Sequence, residues 1–273
     1  MRAILEVQWG RSKGRKAVLE PGENLRIGRT EHADWVFEHD RSMAALHCVV
    51  QWDGATARVR DARGLPETLI GGAALADGVI THGGWIRAGE TVVSLHIEAF
   101  TPARREADAI WSDEKRRALE ALSSAEPLFA VLDAARDPRI LQLLRESVHE
   151  ALSLYDGVQG DALASVAPYV VALPRGSRLL QQLVLEGWGK RWGVFLSSPA
   201  PLAEVRRHLR RFLLVADDLT GRRLYFRFYD PAALRAFLAC ATTRQASAFF
   251  TNIDRLLAED EAAAAEVVQA PAV

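Results

Sequence analysis

Apolar and polar positions alternate in short runs over the first 100 residues of the chain. A period of two predicts β-strands that bury one face and expose the other. Glycine-containing turn dipeptides, such as Pro21-Gly22 and Gly83-Gly84, separate the runs. Many short strands at this spacing predict an all-β sandwich. The alternating runs are residues 5–9, 46–52, 57–60 and 93–98.

The pattern changes at Leu128, where a continuous apolar run, residues 128–132, predicts a buried strand. From there, strand candidates alternate with amphipathic helix candidates, which predicts an α/β layered domain. The fold class expected for the whole chain is therefore α+β with two domains. The strand candidates are 128–132, 151–155, 167–173, 192–196 and 224–228, and the helix candidates are 138–148, 177–184, 201–216, 231–241 and 249–257.

These patterns divide the chain into four segments. Residues 1–100 form the β-sandwich, and residues 126–258 form the α/β domain. Between them, residues 101–125 are rich in charge and alanine, which predicts a linker with a short helix beginning at Ser112. Residues 259–273 are acidic and alanine-rich, and we expect a flexible tail.

The most specific pattern lies between Arg223 and Leu238. Apolar residues at alternate positions of 224–228 predict a strand, and Asp230 followed by Pro231 predicts a helix N-cap and first helical residue. Apolar residues of 234–241 then repeat at helical spacing. From the residues alone, a well-packed strand–turn–helix unit of the core explains this pattern.

The same stretch carries a family resemblance. It resembles the signature of bacterial type VI secretion adaptors, also called effector chaperones, and the resemblance extends over Leu128–Leu257. It implies a non-catalytic protein that shields a toxic effector and loads it onto the VgrG spike. The residues of the motif are Phe226, Arg227, Phe228, Tyr229, Asp230 and Pro231.

Four residues of this domain are candidates for contact with the effector. Trp188 and Trp192 supply aromatic surface, and Arg206 and Arg210 lie on the polar side of a predicted helix. Tryptophan and arginine dominate the energetics of protein interfaces. The alternative is that the tryptophans belong to the core and the arginines to a solvated surface.

The layout of residues 25–97 resembles a forkhead-associated (FHA) domain, a β-sandwich that usually reads phosphothreonine peptides. Gly28-Arg29 and His47 match the family pattern. In that family, an arginine after the glycine and a serine three residues before the histidine contact the phosphate, and an asparagine in a later loop holds the peptide backbone. The histidine supports the loops.

Several positions depart from the FHA pattern. Ala44 replaces the serine, and Pro66 and Glu67 occupy the later loop. A phosphate site needs charge-assisted donors and is weakened by a nearby carboxylate. We therefore expect a degenerate pocket with only Arg29 and His47 remaining, and no phosphopeptide partner. The alternative function is a regulator that reads phosphothreonine peptides, which an intact serine and asparagine would have favoured.

Composition narrows the possible partners. The chain of 273 residues has a formal net charge of −1. A net charge this close to zero gives no long-range electrostatic attraction to nucleic acid or to an acidic membrane. No apolar run is long enough to span a membrane, and the amino terminus lacks a signal-peptide pattern. Cys48 and Cys240 lie in apolar patterns, and we expect both to be core residues in a reducing compartment. The expected location is the cytoplasm.

The sequence contains no convincing catalytic or metal-binding motif. Gly187–Lys190 lacks the first glycine and the hydroxyl residue of a phosphate-binding loop, and a helix-ending turn explains it. The histidines and aspartates of 32–40 have the spacing of no common metal site. We expect no enzyme activity, no cofactor and no metal. A catalytic site around Tyr229 and Asp230 is a third alternative.

Overall fold

A computed structural model describes residues 1–9, 11–65, 67–216, 221–260 and 265–269. The chain divides into two compact units. The first unit comprises Met1–Pro102 and Arg145–Glu150. The second comprises Ala103–Leu144 and Ala151–Val273. The chain therefore leaves the first unit, returns to it for six residues, and leaves again.

The described part of the first unit consists of strands in two sheets. One sheet has the order β2-β1-β11-β10-β7-β8 and the other β4-β3-β5-β6-β9. Apolar side chains from alternate strand positions form the core between them, which confirms the predicted all-β sandwich. The strands are β1 Ala3–Val7, β2 Lys16–Leu19, β3 Asn24–Gly28, β4 Trp35–Val36, β5 Cys48–Trp52, β6 Ala57–Asp61, β7 Thr68–Ile70, β8 Ala73–Leu75, β9 Asp77–Ile80, β10 Trp85–Ala88 and β11 Thr91–Ile97.

The returning segment Arg145–Glu150 is bonded into the first unit through Glu146. The carboxylate of this buried residue accepts hydrogen bonds from the backbone N–H and the hydroxyl of Thr101, at 2.9 and 2.6 Å. Lys16 donates from Nζ to the carbonyl of Ser147 at 2.7 Å. The sequence pattern placed this segment inside the α/β domain, because nothing local distinguishes it from the helix before it.

The second unit contains a six-stranded sheet with the order β13-β14-β12-β15-β18-β19, in which all neighbours are antiparallel, and a separate hairpin of β16 and β17. Its strands are β12 Leu128–Asp133, β13 Ala151–Ser153, β14 Pro168–Leu173, β15 Gly193–Ser197, β16 Leu214–Ala216, β17 Arg223–Tyr225, β18 Arg255–Glu259 and β19 Ala265–Gln269. Its helices are α1 Asp113–Ser123, α2 Pro138–Arg145, α3 Gly157–Ala162, α4 Arg178–Gly187, α5 Leu202–Arg210, α6 Pro231–Cys240 and α7 Thr243–Phe249.

The central strand β12 is buried along its whole length because helices cover both faces of the sheet. Leu128, Ala130 and Leu132 pack with α1 and α4 on one face, whereas Phe129 and Val131 pack with α5 and α6 on the other. The expected α/β layered arrangement is therefore confirmed. Its neighbour β15 approaches so closely at Gly193 that a Cβ there would lie 2.1 Å from the carbonyl oxygen of Val131.

The segment 101–125 differs from the expected linker. The predicted short helix is present as α1, capped by Ser112, which accepts a hydrogen bond from the Lys115 N–H at 3.3 Å. Ala118 and Leu122 on this helix are fully buried in the core of the second unit. Leu119 is partly buried against the same core, but the charged residues around these few apolar positions obscured the pattern in the sequence.

Three expectations about the last third of the chain were wrong. The helix predicted over 201–216 ends at Arg210, and β16 follows. The helix predicted over 249–257 is instead the end of α7 followed by β18, whose consecutive buried residues fit either element in a short apolar run. Residues 265–269 of the predicted flexible tail form β19, paired with β18.

The two cysteines occupy different environments. Cys48 is fully buried in the first core, as expected. Cys240 is exposed at the end of α6, so the expectation of a core residue was wrong there. None of the described helices is long and apolar enough to cross a membrane.

Candidate functional site

The motif Phe226–Pro231 lies at the junction between the hairpin strand β17 and α6. The strand ends at Tyr225, and residues 226–230 form a turn. Phe228 is buried against Phe249, with ring centroids 5.7 Å apart, whereas Leu224 is exposed. The prediction of one strand face formed by Leu224, Phe226 and Phe228 was therefore wrong. The aromatic alternation reflects a turn packed on the core.

Asp230 performs two roles at this junction. Its Oδ1 accepts hydrogen bonds from the N–H groups of Ala232 and Ala233 at 2.9 and 3.2 Å, which confirms the predicted N-cap of α6. Its two carboxylate oxygens also pair with the guanidinium groups of Arg136 and Arg191. Burial alone would raise the pKa of Asp230, but these donors outweigh it and hold the pKa below its ordinary value.

A second buried carboxylate anchors the motif to the sheet. Asp133, at the end of β12, is 1% exposed and pairs with the guanidinium of Arg227. Arg136 lies 3.7 Å from the same carboxylate. A buried charge is tolerated when it is paired, and removing one partner is strongly destabilising. We call Asp133, Asp230, Arg136, Arg191 and Arg227 the arginine–aspartate cluster.

A glycine-rich turn after α4 positions Arg191 for this cluster. The carboxylate of Glu259 accepts from the N–H groups of Gly189 and Arg191, both at 2.5 Å. Burial raises the pKa of Glu259 despite these two donors. The sequence predicted a helix-ending turn here but gave no indication that Glu259, from β18, or Arg191 takes part. Of the residues in this site that the sequence analysis missed, Asp133 alone has a local signal, because it is a charged residue at the end of an apolar strand.

The tryptophan candidates lie in the core. Trp188 and Trp192 are 7% and 6% exposed and pack in the cluster between α4 and the sheet. Gly187 makes room for Trp192, since a Cβ at that position would lie 2.3 Å from the Trp192 ring. Neither tryptophan offers a surface for an effector, so their assignment as contact residues was wrong.

The arginine candidates form hydrogen bonds with the neighbouring segment 153–156. Arg206 donates from Nε to the carbonyl of Ser153 at 2.6 Å, and Arg210 donates from Nη1 to Oδ2 of Asp156 at 2.7 Å. Both side chains are partly buried. The structure therefore places them together, as predicted, but gives them a supporting role for residues 153–156.

An open groove of about 720 Å³ adjoins these arginines. The C-terminal part of α5, the hairpin strands β16 and β17, and the segment around α3 line it. We call it the arginine-rimmed groove. Its exposed rim residues are Leu163, Arg207, Arg211, Leu214 and Tyr225, and Arg210 and Asp156 lie beside them.

Three tyrosine hydroxyls meet at one end of the groove. Tyr225 donates to the hydroxyl of Tyr155 at 2.6 Å and lies 3.2 Å from that of Tyr229. Burial and these hydrogen bonds raise the pKa of Tyr225, and burial raises that of Tyr229, so both stay protonated. Within the described residues, no group of three histidine, cysteine or acidic side chains is arranged to hold a metal ion.

The residual FHA pocket lies in the first unit. Arg29 is exposed and donates from Nε to the carbonyl of Met43 at 3.2 Å. His47 is buried, accepts at Nδ1 from the Ala44 N–H at 3.2 Å, and has a pKa lowered by burial. Glu67 pairs with Arg63. Pro66 lies outside the described residues. The histidine thus supports the loop, and the side chain of Arg29 stays exposed beside it.

Comparisons with known proteins match the two units separately. Residues 128–248 match the model of a family described as a domain of unknown function, DUF4123. A search of curated proteins gives no match. Among solved structures, an FHA domain with phosphothreonine-dependent interactions is 22% identical, with 37% of this chain and 100% of that chain covered and a TM-score of 0.32.

Two further FHA domains are similar. That of a Chlamydia trachomatis protein is 20% identical, with 36% of this chain and 100% of that chain covered and a TM-score of 0.34. That of an Arabidopsis thaliana hypothetical protein is 20% identical, with 37% of this chain and 90% of that chain covered and a TM-score of 0.33.

Proposed function

We propose that this protein is an adaptor of the bacterial type VI secretion system. It binds a toxic effector, shields it before secretion and loads it onto the VgrG spike. The adaptor itself is not an enzyme. Its second unit holds the effector, and its work consists of binding two proteins at once.

The family match at residues 128–248 is the observation that carries this proposal. That family is associated with chaperones of type VI effectors. The matched segment contains the motif Phe226–Pro231, the whole arginine–aspartate cluster and the whole described lining of the arginine-rimmed groove. Because a fold alone does not define a function, the proposal also needs a binding surface. The arginine-rimmed groove offers a surface on which a protein segment can bind.

The chemistry of the second unit favours binding over catalysis. Both aspartates of the cluster are occupied by guanidinium groups, and Asp230 has a lowered pKa, which suits a fixed negative charge rather than a proton donor. Tyr225 and Tyr229 have raised pKa values and remain neutral phenols. The cluster therefore acts as a support that fixes the motif turn against β12.

The first unit supports the same proposal as a protein-binding module that no longer reads phosphate. Of the positions expected to contact a phosphate in the described residues, Arg29 keeps a donor, whereas Ala44 offers no hydroxyl. Paired charge-assisted donors give phosphate sites their affinity. We therefore propose that this unit does not select phosphothreonine.

Co-purification tests the proposal. The tagged protein is co-expressed with the toxin and the spike protein encoded by the genes beside its own. We expect both to co-purify with it, and the toxin to stay soluble only in its presence. The proposal is overturned if neither protein co-purifies with a folded wild-type chain.

A further inference from the structure

The arginine-rimmed groove exposes large apolar side chains to water. Leu214 is 52% exposed, Leu163 47% and Tyr225 45%. Single exposed leucines are ordinary, but these three line one concave surface over a floor that includes buried Leu154 and Leu213. A contiguous apolar surface within a concave site marks a place where a ligand or partner binds.

The charges around the groove have one dominant sign. Among its described lining side chains, Arg207, Arg210 and Arg211 are basic and Asp156 is acidic. Asp156 already pairs with Arg210 and lies 3.5 Å from Arg206. The described lining of the groove therefore carries more positive than negative charge, although the whole chain has a net charge of −1.

The two outer arginines keep most of their charge available. Arg207 is exposed, and its nearest carboxylate, that of Glu204, is 3.7 Å away. Arg211 lies 2.7 Å from Nδ1 of His208, a neutral contact, because burial lowers the pKa of that histidine. A carboxylate would satisfy these donors better than water does.

The size of the groove limits its occupant. A volume of about 720 Å³ falls within the range of about 300–1,000 Å³ typical of sites for small ligands. It therefore suits a few side chains of an extended or helical segment, not a folded domain. The hydroxyl of Tyr155 accepts a hydrogen bond from Tyr225, so its own O–H can donate to a carbonyl or carboxylate of a partner.

We propose that the arginine-rimmed groove binds a short segment of the effector in which leucine-sized apolar residues alternate with aspartate or glutamate. The apolar side chains cover Leu163, Leu214 and Tyr225, and the carboxylates pair with Arg207, Arg210 and Arg211. This rests on the proposed function, since it takes the effector as the partner.

The test uses two substitution pairs of equal charge change. Arg207→Glu with Arg211→Glu reverses the rim, and Arg116→Glu with Arg117→Glu reverses two exposed arginines on α1, outside the groove. Affinity for the purified effector encoded beside the gene is measured by calorimetry at two salt concentrations. We expect at least a tenfold loss for the groove pair, none for the α1 pair, and weaker wild-type binding at high salt.

A second comparison tests the apolar contact on a single hairpin. Leu214→Ser removes an exposed leucine from the groove. Leu224→Ser is the control, because Leu224 is equally exposed and lies next to Tyr225, the partner of Leu214 on the facing strand, but is not among the residues that line the groove. We expect Leu214→Ser alone to weaken effector binding. Circular dichroism verifies that all four variants are folded.

Each outcome separates this inference from the proposed function. If the groove variants bind the effector as tightly as their controls, the groove assignment is wrong while the adaptor function stands. If the wild type does not bind the effector, both are wrong. If the groove variants change only self-association, seen by size-exclusion chromatography, then a second copy occupies the groove and the inference fails.

Discussion

Arg227 of the motif pairs with Asp133, a buried carboxylate 94 residues earlier at the end of the central strand. The adjacent Asp230 pairs with Arg136 and Arg191 in the same way. The motif turn is thus held to the sheet by charge pairs from three separate parts of the chain. Because both carboxylates are buried, the loss of one partner leaves an unpaired charge in the interior.

Asp230→Ala should destabilise the second unit by about 1.5–3 kcal/mol, the usual contribution of hydrogen bonds to a charged group, because the guanidinium groups left behind on Arg136 and Arg191 are partly exposed to water. A lost helix cap alone costs about 1 kcal/mol. Thr242→Ala is the matched control, since Thr242 caps α7 without any charge partner. Urea unfolding of the three proteins measures the difference. Equal losses for both variants would show that the arginine pairs contribute nothing.

The stability of the second unit should fall in acid through Asp230. Its folded pKa is depressed, so its ionised form stabilises the native state above the unfolded carboxyl pKa of about 4. This contribution disappears as the pH falls through the lower folded pKa. Urea unfolding between pH 2 and pH 7 should show an acid limb that is shallower in Asp230→Asn. An unchanged limb would contradict the assignment.

The returning segment should stabilise the first unit through Glu146. Glu146→Ala leaves the N–H and hydroxyl of Thr101 without their carboxylate, at a cost of about 1–3 kcal/mol. The matched control is Glu150→Ala, at an exposed position of the same segment. Hydrogen exchange of the β1 and β11 amides reports the effect. Similar exchange rates in both variants would mean that the segment is not part of the unit.

Phosphothreonine should not increase the affinity of any peptide for the first unit. Arg29 is the one family phosphate contact in the described residues, and Glu67 lies in the loop where the family has a polar contact. Calorimetric titration with matched phosphorylated and unphosphorylated peptides measures this. A phosphate-dependent Kd in the micromolar range, about −8 kcal/mol, would restore the phosphothreonine-reader hypothesis.

Local features of the fold could be predicted from the sequence. The helix expected at Ser112 and the N-cap expected at Asp230 are both present, because a cap depends on residues two or three positions away. The strands 128–133 and 168–173 followed from their apolar runs. These elements needed no information about distant parts of the chain.

The errors arose where distant residues decide the outcome. The burial of Trp192 depends on the close approach that Gly187 allows. The sequence pattern around a tryptophan does not distinguish a core position from a surface position, and Trp188 is buried as well. The pairing of Arg227 with Asp133 joins elements that no local pattern connects. The run 256–258 is buried as a strand, yet its composition fits a helix equally well.

A bridging experiment tests the adaptor function most directly. VgrG encoded beside the gene is immobilised, and the purified effector is added with and without this protein. The account predicts that the effector is retained only when the adaptor is present, and that Arg207→Glu with Arg211→Glu removes the effector but leaves the adaptor on the spike. Equal retention of the effector without the adaptor, or no retention with it, would contradict the account.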